Sequence, residues 1–359
     1  MTKETKQEIE KTGIHTAESR NEDREMTRSI WLEEVFPEWQ CILNREIAEI
    51  KVEDKTFALW WFGGPSWAYK SPGGAVFLID NYAGPSLHSE YHYCGVCRTA
   101  GSPYMTWLRT HPQVIDPWAF EDLDAVFATH HHQDHADIYT VKAALQTTDA
   151  KFIGPYSACE LFRRWQVPED RIIQVKPGDS FNIKDVEIAV EKNYDPMATM
   201  TGDYKPGDPL DYDKNVVSFL TKNEGGCAIF LGDTLYSNGY HAVGQRHQID
   251  VAIMNMGHNA PGMTDKMSPF DAFRVGQALG TKVIIPDHYE NWASSEIDPQ
   301  QLVDIVKKND PSIKTVILKH GARFIYPDDQ DMGEYKYPDW RERFNWPDSW
   351  EYGTPVIDK

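Results

Sequence analysis

The rhythm of apolar and polar positions changes along this chain, and each change predicts a different element. Residues 1–26 carry Glu, Lys, Arg and Thr with few apolar side chains, which predicts a solvated polar tail or a frayed helix. A helical pattern follows in Ile30-Trp31-Leu32-Glu33-Glu34-Val35-Phe36, breaks at Pro37, and resumes through Trp39, Ile42, Leu43, Ile47 and Ile50. From Thr56 short apolar runs alternate with turn signals, as strands do. Phe57 to Phe62 ends at Gly63-Gly64, and Ala75 to Ile79 follows Pro72-Gly73-Gly74 and ends at Asp80. Residues 81–117 are irregular and carry Gly, Pro, His and Tyr. A stretch this long in a compact domain is expected to lie over a site.

Beyond it, strands are predicted at Ala125 to Ala128, Ile172-Ile173, Val186 to Val190, Val216 to Leu220, Ala228 to Leu231, Val251 to Met256 and Val283 to Ile285. Helices are predicted through Val141 to Leu145, from Ser268-Pro269 to Leu279, and from Asp298-Pro299 to Lys307. In the second of these, Ser268 is the cap and Pro269 lies in the first turn. Strand clusters separated by helices predict mixed α/β layers. No repeat, low-complexity segment or linker interrupts the pattern after residue 27. Residues 27–359 therefore read as a single domain with an N-terminal helical segment, preceded by the polar tail at 1–26.

Composition narrows the class. The hydrophobic share of 41% suffices for a sizeable core, and 12 Trp, 17 Tyr and 15 Phe argue against disorder. The formal charge of −19 sets a field that repels nucleic acid and anionic membrane, so neither is expected as a partner. An anionic small molecule would need a local basic pocket. No apolar run is long enough to span a bilayer, and the polar start lacks the pattern of a secretory signal, so a cytoplasmic location is expected. The five Cys read as reduced thiols; Cys94 and Cys97 form one C-x-x-C with no second pair to complete a zinc site.

The chemistry concentrates in Asp124-Ala125-Val126-Phe127-Ala128-Thr129-His130-His131-His132-Gln133-Asp134-His135. A buried strand delivers the chain to a tight polar loop, after which a helix begins. His130 and His132, two apart, can point the same way from an extended loop. Asp134 and His135 sit where the chain turns into the helix, so four metal-type side chains converge. Imidazole and carboxylate together suit zinc, iron or manganese. The bland alternative, a His-rich surface tract, fits poorly with a position between a strand and a helix.

H-x-H-x-D-H after a hydrophobic strand resembles the metal motif of the metallo-β-lactamase superfamily. The resemblance implies an α/β fold, the αββα four-layer sandwich, with one or two divalent cations at the sheet edge. It implies that His130 and His132 bind a first metal, and Asp134 and His135 a second. Two more strands end in matching residues. Ala228 to Gly232 stops at Asp233, like the family's bridging Asp, and Val283 to Asp287 stops at His288, like its final His. Taken alone, a Gly-Asp is usually a turn and a lone His is often structural. Many relatives supply a further His between the first motif and the Gly-Asp; here none lies between His135 and His241. Asp195 or Asn193 occupies that stretch as a replacement, or Asp195 is simply a turn residue before Pro196.

Phe36-Pro37-Glu38-Trp39, Phe57-Ala58-Leu59-Trp60-Trp61, Gly232-Asp233-Thr234-Leu235-Tyr236-Ser237-Asn238, His247 to Ala252 and Thr264-Asp265-Lys266-Met267 further resemble the L-ascorbate-6-phosphate lactonases of that superfamily. This implies a carboxylic-ester hydrolase that opens the lactone ring of L-ascorbate 6-phosphate to 3-keto-L-gulonate 6-phosphate. Mn²⁺ or Zn²⁺ would generate hydroxide to attack the carbonyl, with Asp134 also catalytic. Candidate substrate contacts are Lys266, Arg274, Arg323, Arg98, Arg109, His258, Asn259, Tyr236 and Asn238. Arg in particular matches phosphate oxygens. The expected partner is a small anionic phosphorylated sugar lactone, and the aromatic N-terminal segment makes a homo-oligomer the expected state. The alternatives are a metal-dependent phosphodiesterase of RNase type and a non-catalytic metal-binding protein of the same fold.

Overall fold

The computed structural model describes residue 28 and residues 42–84, 109–201, 204–259, 264–293 and 295–336. The polar tail, the helical pattern at 30–39, Cys94, Cys97 and Arg98 lie outside them. In chain order the elements are α1 (Ile42–Glu49), β1 (Phe57–Gly63), β2 (Ser66–Lys70), β3 (Val76–Ile79), β4 (Ala125–Phe127), α2 (Ile138–Thr147), β5 (Lys151–Gly154), α3 (Tyr156–Arg164), β6 (Ile172–Gln174), β7 (Ser180–Ile183) and β8 (Val186–Lys192). They continue as α4 (Pro196–Met200), α5 (Tyr212–Asn215), β9 (Val217–Asn223), β10 (Gly226–Phe230), α6 (Gly239–Arg246), β11 (Val251–Asn255), α7 (Pro269–Leu279), β12 (Val283–Asp287), α8 (Gln300–Asn309), β13 (Lys314–Thr315) and β14 (Ala322–Tyr326).

The strands form two seven-stranded sheets, ordered β14-β1-β2-β3-β4-β5-β6 and β13-β12-β11-β10-β9-β8-β7. Each is mixed: β3 through β6 are parallel, as are β10 through β13, while β14-β1-β2-β3 and β7-β8-β9-β10 run antiparallel. Side-chain alternation on β1 shows how the layers are built. Phe57, Leu59 and Trp61 enter the core between the sheets, to which the second sheet contributes Phe219 and Phe230. Ala58, Trp60 and Phe62 face the other way, into a second core closed by Leu43 and Ile47 of α1, Val141 and Ala144 of α2, and Phe162 of α3. Strands buried on both faces read as continuous apolar runs rather than alternating ones. The second sheet is covered by α6, α7 and α8 through Tyr240, Val243, Phe273, Val275, Leu302 and Val306.

Helix α7 follows its sequence signals: the Ser268 hydroxyl accepts from Asp271 N, Pro269 opens the first turn, and Gly280 closes the helix at φ 65°. Strands β2, β5, β7, β13 and β14 carry weaker patterns and are not among the sequence expectations. Among the described residues no helix is long and apolar enough to cross a membrane.

Candidate metal centre

Loop 128–137 leaves the C-terminal end of β4 and is tied to both sheets. On one side Thr129 donates from N to Asp80 Oδ1 and from Oγ1 to Asp80 Oδ2, at 2.7 Å each, fixing it to the end of β3. On the other, Val217 N donates to Thr129 O at 3.0 Å, and His130 forms a bridge with Val216 at the start of β9. The loop thus sits where the two sheets meet. Asp137 then caps α2 by accepting from Thr140 N. Gly232 lets β10 end here, because a Cβ on it would lie 2.5 Å from Thr129 Oγ1 and its φ is +66°. Asp233 follows it. His288 follows β12, with its N donating to Gly64 O at 3.2 Å. Asp195 follows β8 and caps α4, accepting from Met197 N and Ala198 N.

These ends deliver two groups of ligand atoms, each group within 4.8 Å: His130, His132, Asp195 and Asp233, and Asp134, His135 and His288. In the first, His130 Nε2 lies 2.9 Å from His132 Nδ1 and 4.0 Å from Asp195 Oδ2. In the second, His288 Nε2 lies 3.1 Å from Asp134 Oδ2 and 3.3 Å from His135 Nε2. Asp233 joins the groups, with Oδ2 3.4 Å from His135 Nε2 and Oδ1 3.4 Å from His288 Nε2. Four imidazoles and three carboxylates converge, all buried except the half-buried His132. Facing imidazole nitrogens at 2.9 and 3.3 Å need a proton or a cation between them, and the carboxylates supply the balancing charge. The donor set fits a divalent cation.

The electrostatics follow from burial and crowding. Burial, and then the neighbouring His135, holds the His130 imidazole well below its usual range; burial and His131 do the same to His132. Both rings are therefore neutral and able to ligate. Burial also opposes the charged form of His135, but Asp233, Asp80 and Asp134 outweigh it and raise the ring well above its usual value. Burial would raise Asp134, yet His135 and His288 hold it well below the usual carboxylate range. Asp195 goes the other way, raised by burial and by Asp265 and Asp233.

Of the other predicted residues, Lys266 lies within the cluster itself. It is 5% exposed, with Nζ 2.5 Å from Asp233 Oδ2 and 3.8 Å from Asp265 Oδ2, so its charge is engaged by carboxylates. Asn259 braces its segment, accepting from Lys266 N and donating to Lys266 O. Arg323 points from β14 into the outer layer, where it pairs with Glu46 at 2.9 Å; the structure does not bring it to the cluster. Arg274 lies 3.5 Å from the ring centroid of Tyr236, whose hydroxyl donates to Asn238 Oδ1. His258 is exposed, and Arg109 is buried over the Tyr82 ring. Asn193 donates to Leu231 O and accepts from Asp195 N, so it supports the Asp195 turn.

Three contacts were missed from sequence. Asp80 accepts from His135 Nδ1 at 2.8 Å, fixing the ring so that Nε2 faces the cluster. Thr201 Oγ1 meets His132 Nε2 at 2.9 Å, and Asn291 Nδ2 donates to Asp134 Oδ2 at 2.9 Å. Asp80 had a readable signal, since it ends an apolar run just as Asp233 does. Thr201 and Asn291 had none.

Facing mixed sheets that deliver imidazoles and carboxylates to one shared edge define a metalloprotein-type site of the metallo-β-lactamase fold. The family model described as Beta-lactamase superfamily domain matches residues 94–289. A relative from Escherichia coli, named "Probable L-ascorbate-6-phosphate lactonase UlaG", is 38% identical over 341 residues, covering 88% of this chain and 94% of its own. The chain belongs to the metallo-β-lactamase superfamily and, within it, to the UlaG-like proteins. Among solved structures, the metallo hydrolase Igni18 of Ignicoccus hospitalis aligns with TM-score 0.53 at 18% identity, covering 76% of this chain and 98% of that one. The isothiocyanate hydrolase from Delia radicum gut bacteria aligns at 0.55 and 19%, covering 74% and 98%. At those identities the likeness speaks for the fold alone.

Proposed function

We propose that this protein opens the lactone ring of L-ascorbate 6-phosphate, giving 3-keto-L-gulonate 6-phosphate, with Mn²⁺ or Zn²⁺ bound as one or two ions. The observation that carries the reading is 38% identity, across 88% of the chain, to a relative bearing that lactonase name. The ligand cluster supports the chemistry. His130, His132, Asp195 and Asp233 would hold one ion, and Asp134, His135 and His288 a second, with Asp233 between them. A bound divalent cation lowers the pKa of water to about 7 and polarises a carbonyl oxygen.

The chain's own residues do the rest. Asp80 keeps the His135 proton on Nδ1, leaving Nε2 as a lone-pair donor. The described contacts of Asp134 fall on Oδ2, so Oδ1 is the atom placed to orient the attacking water and accept its proton. The leaving oxygen stays tethered in the ring-opened product, so Asp134 can return that proton to it. Lys266 holds Asp233 in place. Arg274, 41% exposed and stacked on Tyr236, is the predicted cation best placed to meet a phosphate: its pairing with Asp271, at 3.5 Å, lies at the surface, whereas Lys266 and Arg323 are held by buried carboxylates.

The test is metal analysis followed by turnover of L-ascorbate 6-phosphate beside a neutral lactone and a phosphodiester. Chelation should silence turnover and Mn²⁺ or Zn²⁺ should restore it. His132→Ala should abolish it while leaving the unfolding midpoint of the metal-free protein largely in place. Preference for the phosphodiester, or turnover indifferent to chelation, would overturn the reading.

A further inference from the structure

Asp134 is not held by its metal-site neighbours alone. Asn291 donates from Nδ2 to Asp134 Oδ2 at 2.9 Å, and Asn291 Oδ1 lies 3.0 Å from His111 Nε2. All three residues are buried, and they come from parts of the chain 157 and 180 positions apart. The Asp134 carboxylate dictates the direction of both Asn291 bonds. A carboxylate only accepts, so the amide must turn its NH₂ to Asp134 and its oxygen to His111. His111 must then carry its proton on Nε2. Burial keeps this ring uncharged, lowering it to about 3, so only one nitrogen carries a proton, and the 3.0 Å bond from Nε2 to Asn291 claims it over the longer 3.3 Å contact of Nδ1 with Pro112 O.

The turn after β1 makes room for this chain of bonds. A Cβ on Gly64 would lie 2.5 Å from Asn291 Oδ1 and 3.0 Å from His111 Nε2, and one on Gly63 would lie 2.5 Å from His111 Nδ1. Gly63 and Gly64 both adopt positive φ, +103° and +54° respectively. The same turn accepts from His288 N through Gly64 O, so one diglycine supports a ligand and the brace of another.

We infer that His111 and Asn291 are positioning residues that hold Asp134 Oδ2 on the side of His135 and His288, where the second ion would bind, and leave Oδ1 for the attacking water. Without them Oδ2 keeps only His288 at 3.1 Å and the more distant His135, and the reactive oxygen is less sharply defined. The inference rests on the metal-dependent hydrolase reading above, but not on which lactone is turned over.

The experiment measures Mn²⁺ affinity of the metal-free protein by chelator competition, together with kcat and KM. Asn291→Leu should weaken Mn²⁺ binding or lower kcat by about 10- to 100-fold, with KM nearly unchanged because Asn291 does not touch substrate. His111→Leu should lose in the same parameters. His111→Gln, whose amide N–H can take the place of Nε2–H, should recover most of the loss, whereas His111→Asn, too short to reach Asn291, should not. Because His111 acts only through Asn291, the double variant should be no worse than Asn291→Leu. Losses that multiply in the double variant, a failed His111→Gln rescue, or wild-type affinity and kcat in Asn291→Leu would each overturn the inference. If a Leu variant fails to fold, the Gln and Asn pair at His111 still decides. A wild-type protein that binds Mn²⁺ yet leaves L-ascorbate 6-phosphate intact would sink the proposed substrate, and the affinity measurements would still test His111 and Asn291.

Discussion

Asp80 offers a sharp test of the proposed centre, because changing one atom there should move a proton across the His135 ring that it holds. Its Oδ1 accepts from Thr129 N, and its Oδ2 accepts from both Thr129 Oγ1 and His135 Nδ1. In Asp80→Asn the oxygen must stay opposite Thr129 N, which can only donate. The new NH₂ then faces Thr129 Oγ1 and His135 Nδ1. The hydroxyl can accept, but the ring nitrogen can do so only by moving its proton to Nε2, the atom that faces Asp233 and His288. That tautomer cannot ligate through Nε2. Disturbing such a carboxylate–imidazole pair typically lowers metal affinity by about 10- to 100-fold, or about 1.4 to 2.8 kcal/mol. The fold should barely notice: Asn tolerates the φ of +48° at this position, and both Thr129 bonds survive. Asp80→Ala should instead destabilise the metal-free protein by about 2 to 4 kcal/mol, through left-handed strain and a buried unpaired Thr129 N–H. Chelator competition reads the affinity, and long-range ¹⁵N–¹H spectra of the Zn²⁺-loaded protein, in which His135 would no longer be the imidazolium its carboxylate neighbours favour without metal, read the tautomer. An Asp80→Asn protein that binds Mn²⁺ as tightly as wild type, with His135 still protonated on Nδ1, would refute the reasoning.

Three further outcomes are expected. Lys266→Met leaves Asp233 and Asp265 buried without their cation and should destabilise the metal-free protein by about 3 to 5 kcal/mol. Saturating Mn²⁺ should restore most of that loss, so equal losses in thermal unfolding with and without Mn²⁺ would contradict the pairing. Burial raises the Asp287 carboxyl from 3.8 to about 7, against the opposing hydrogen bond from Trp67 Nε1. A carboxyl held protonated longer in the folded state contributes its stability fully below its unfolded value and loses it as pH rises through its folded one. Metal-free wild type should therefore lose stability between about pH 4 and 7 through this group. Asp287→Asn should lack that decline, and superimposable stability profiles would argue against it. Gly232→Ala places a Cβ 2.5 Å from Thr129 Oγ1 at a φ of +66°, and should both destabilise the fold by at least about 1 to 2 kcal/mol and weaken Mn²⁺ binding; unchanged Mn²⁺ affinity would show that the loop is not positioned there.

How much of this was readable from sequence depended on whether a residue's role is set locally. Each apolar run that became β4, β10 or β12 ends in a ligand-type residue because parallel strands in a sandwich aim their C-terminal ends at one edge, and that signal lies within a few positions. Asp195 was legible as a ligand candidate or a turn residue, and the structure shows no conflict: the carboxylate that caps α4 also faces His130. Lys266 shows where local reading stops. As a cation near a loop it suggested phosphate, but once buried, an ammonium must pair with the carboxylates beside it, and those come from other strands. His111 and Asn291 are further out of reach. Polar residues in irregular segments have no period to read, and their bonds exist only because the turn at Gly63-Gly64 brings distant segments together. Asp80 is the instructive intermediate: the rule that found Asp233, a carboxylate closing an apolar strand, applies to it equally. What the sequence did not distinguish is whether such a carboxylate meets the cation or the imidazole that holds it. That distinction turns on which strand neighbours which, since Asp80 ends β3 beside the loop from β4, whereas Asp233 ends β10 in the facing sheet.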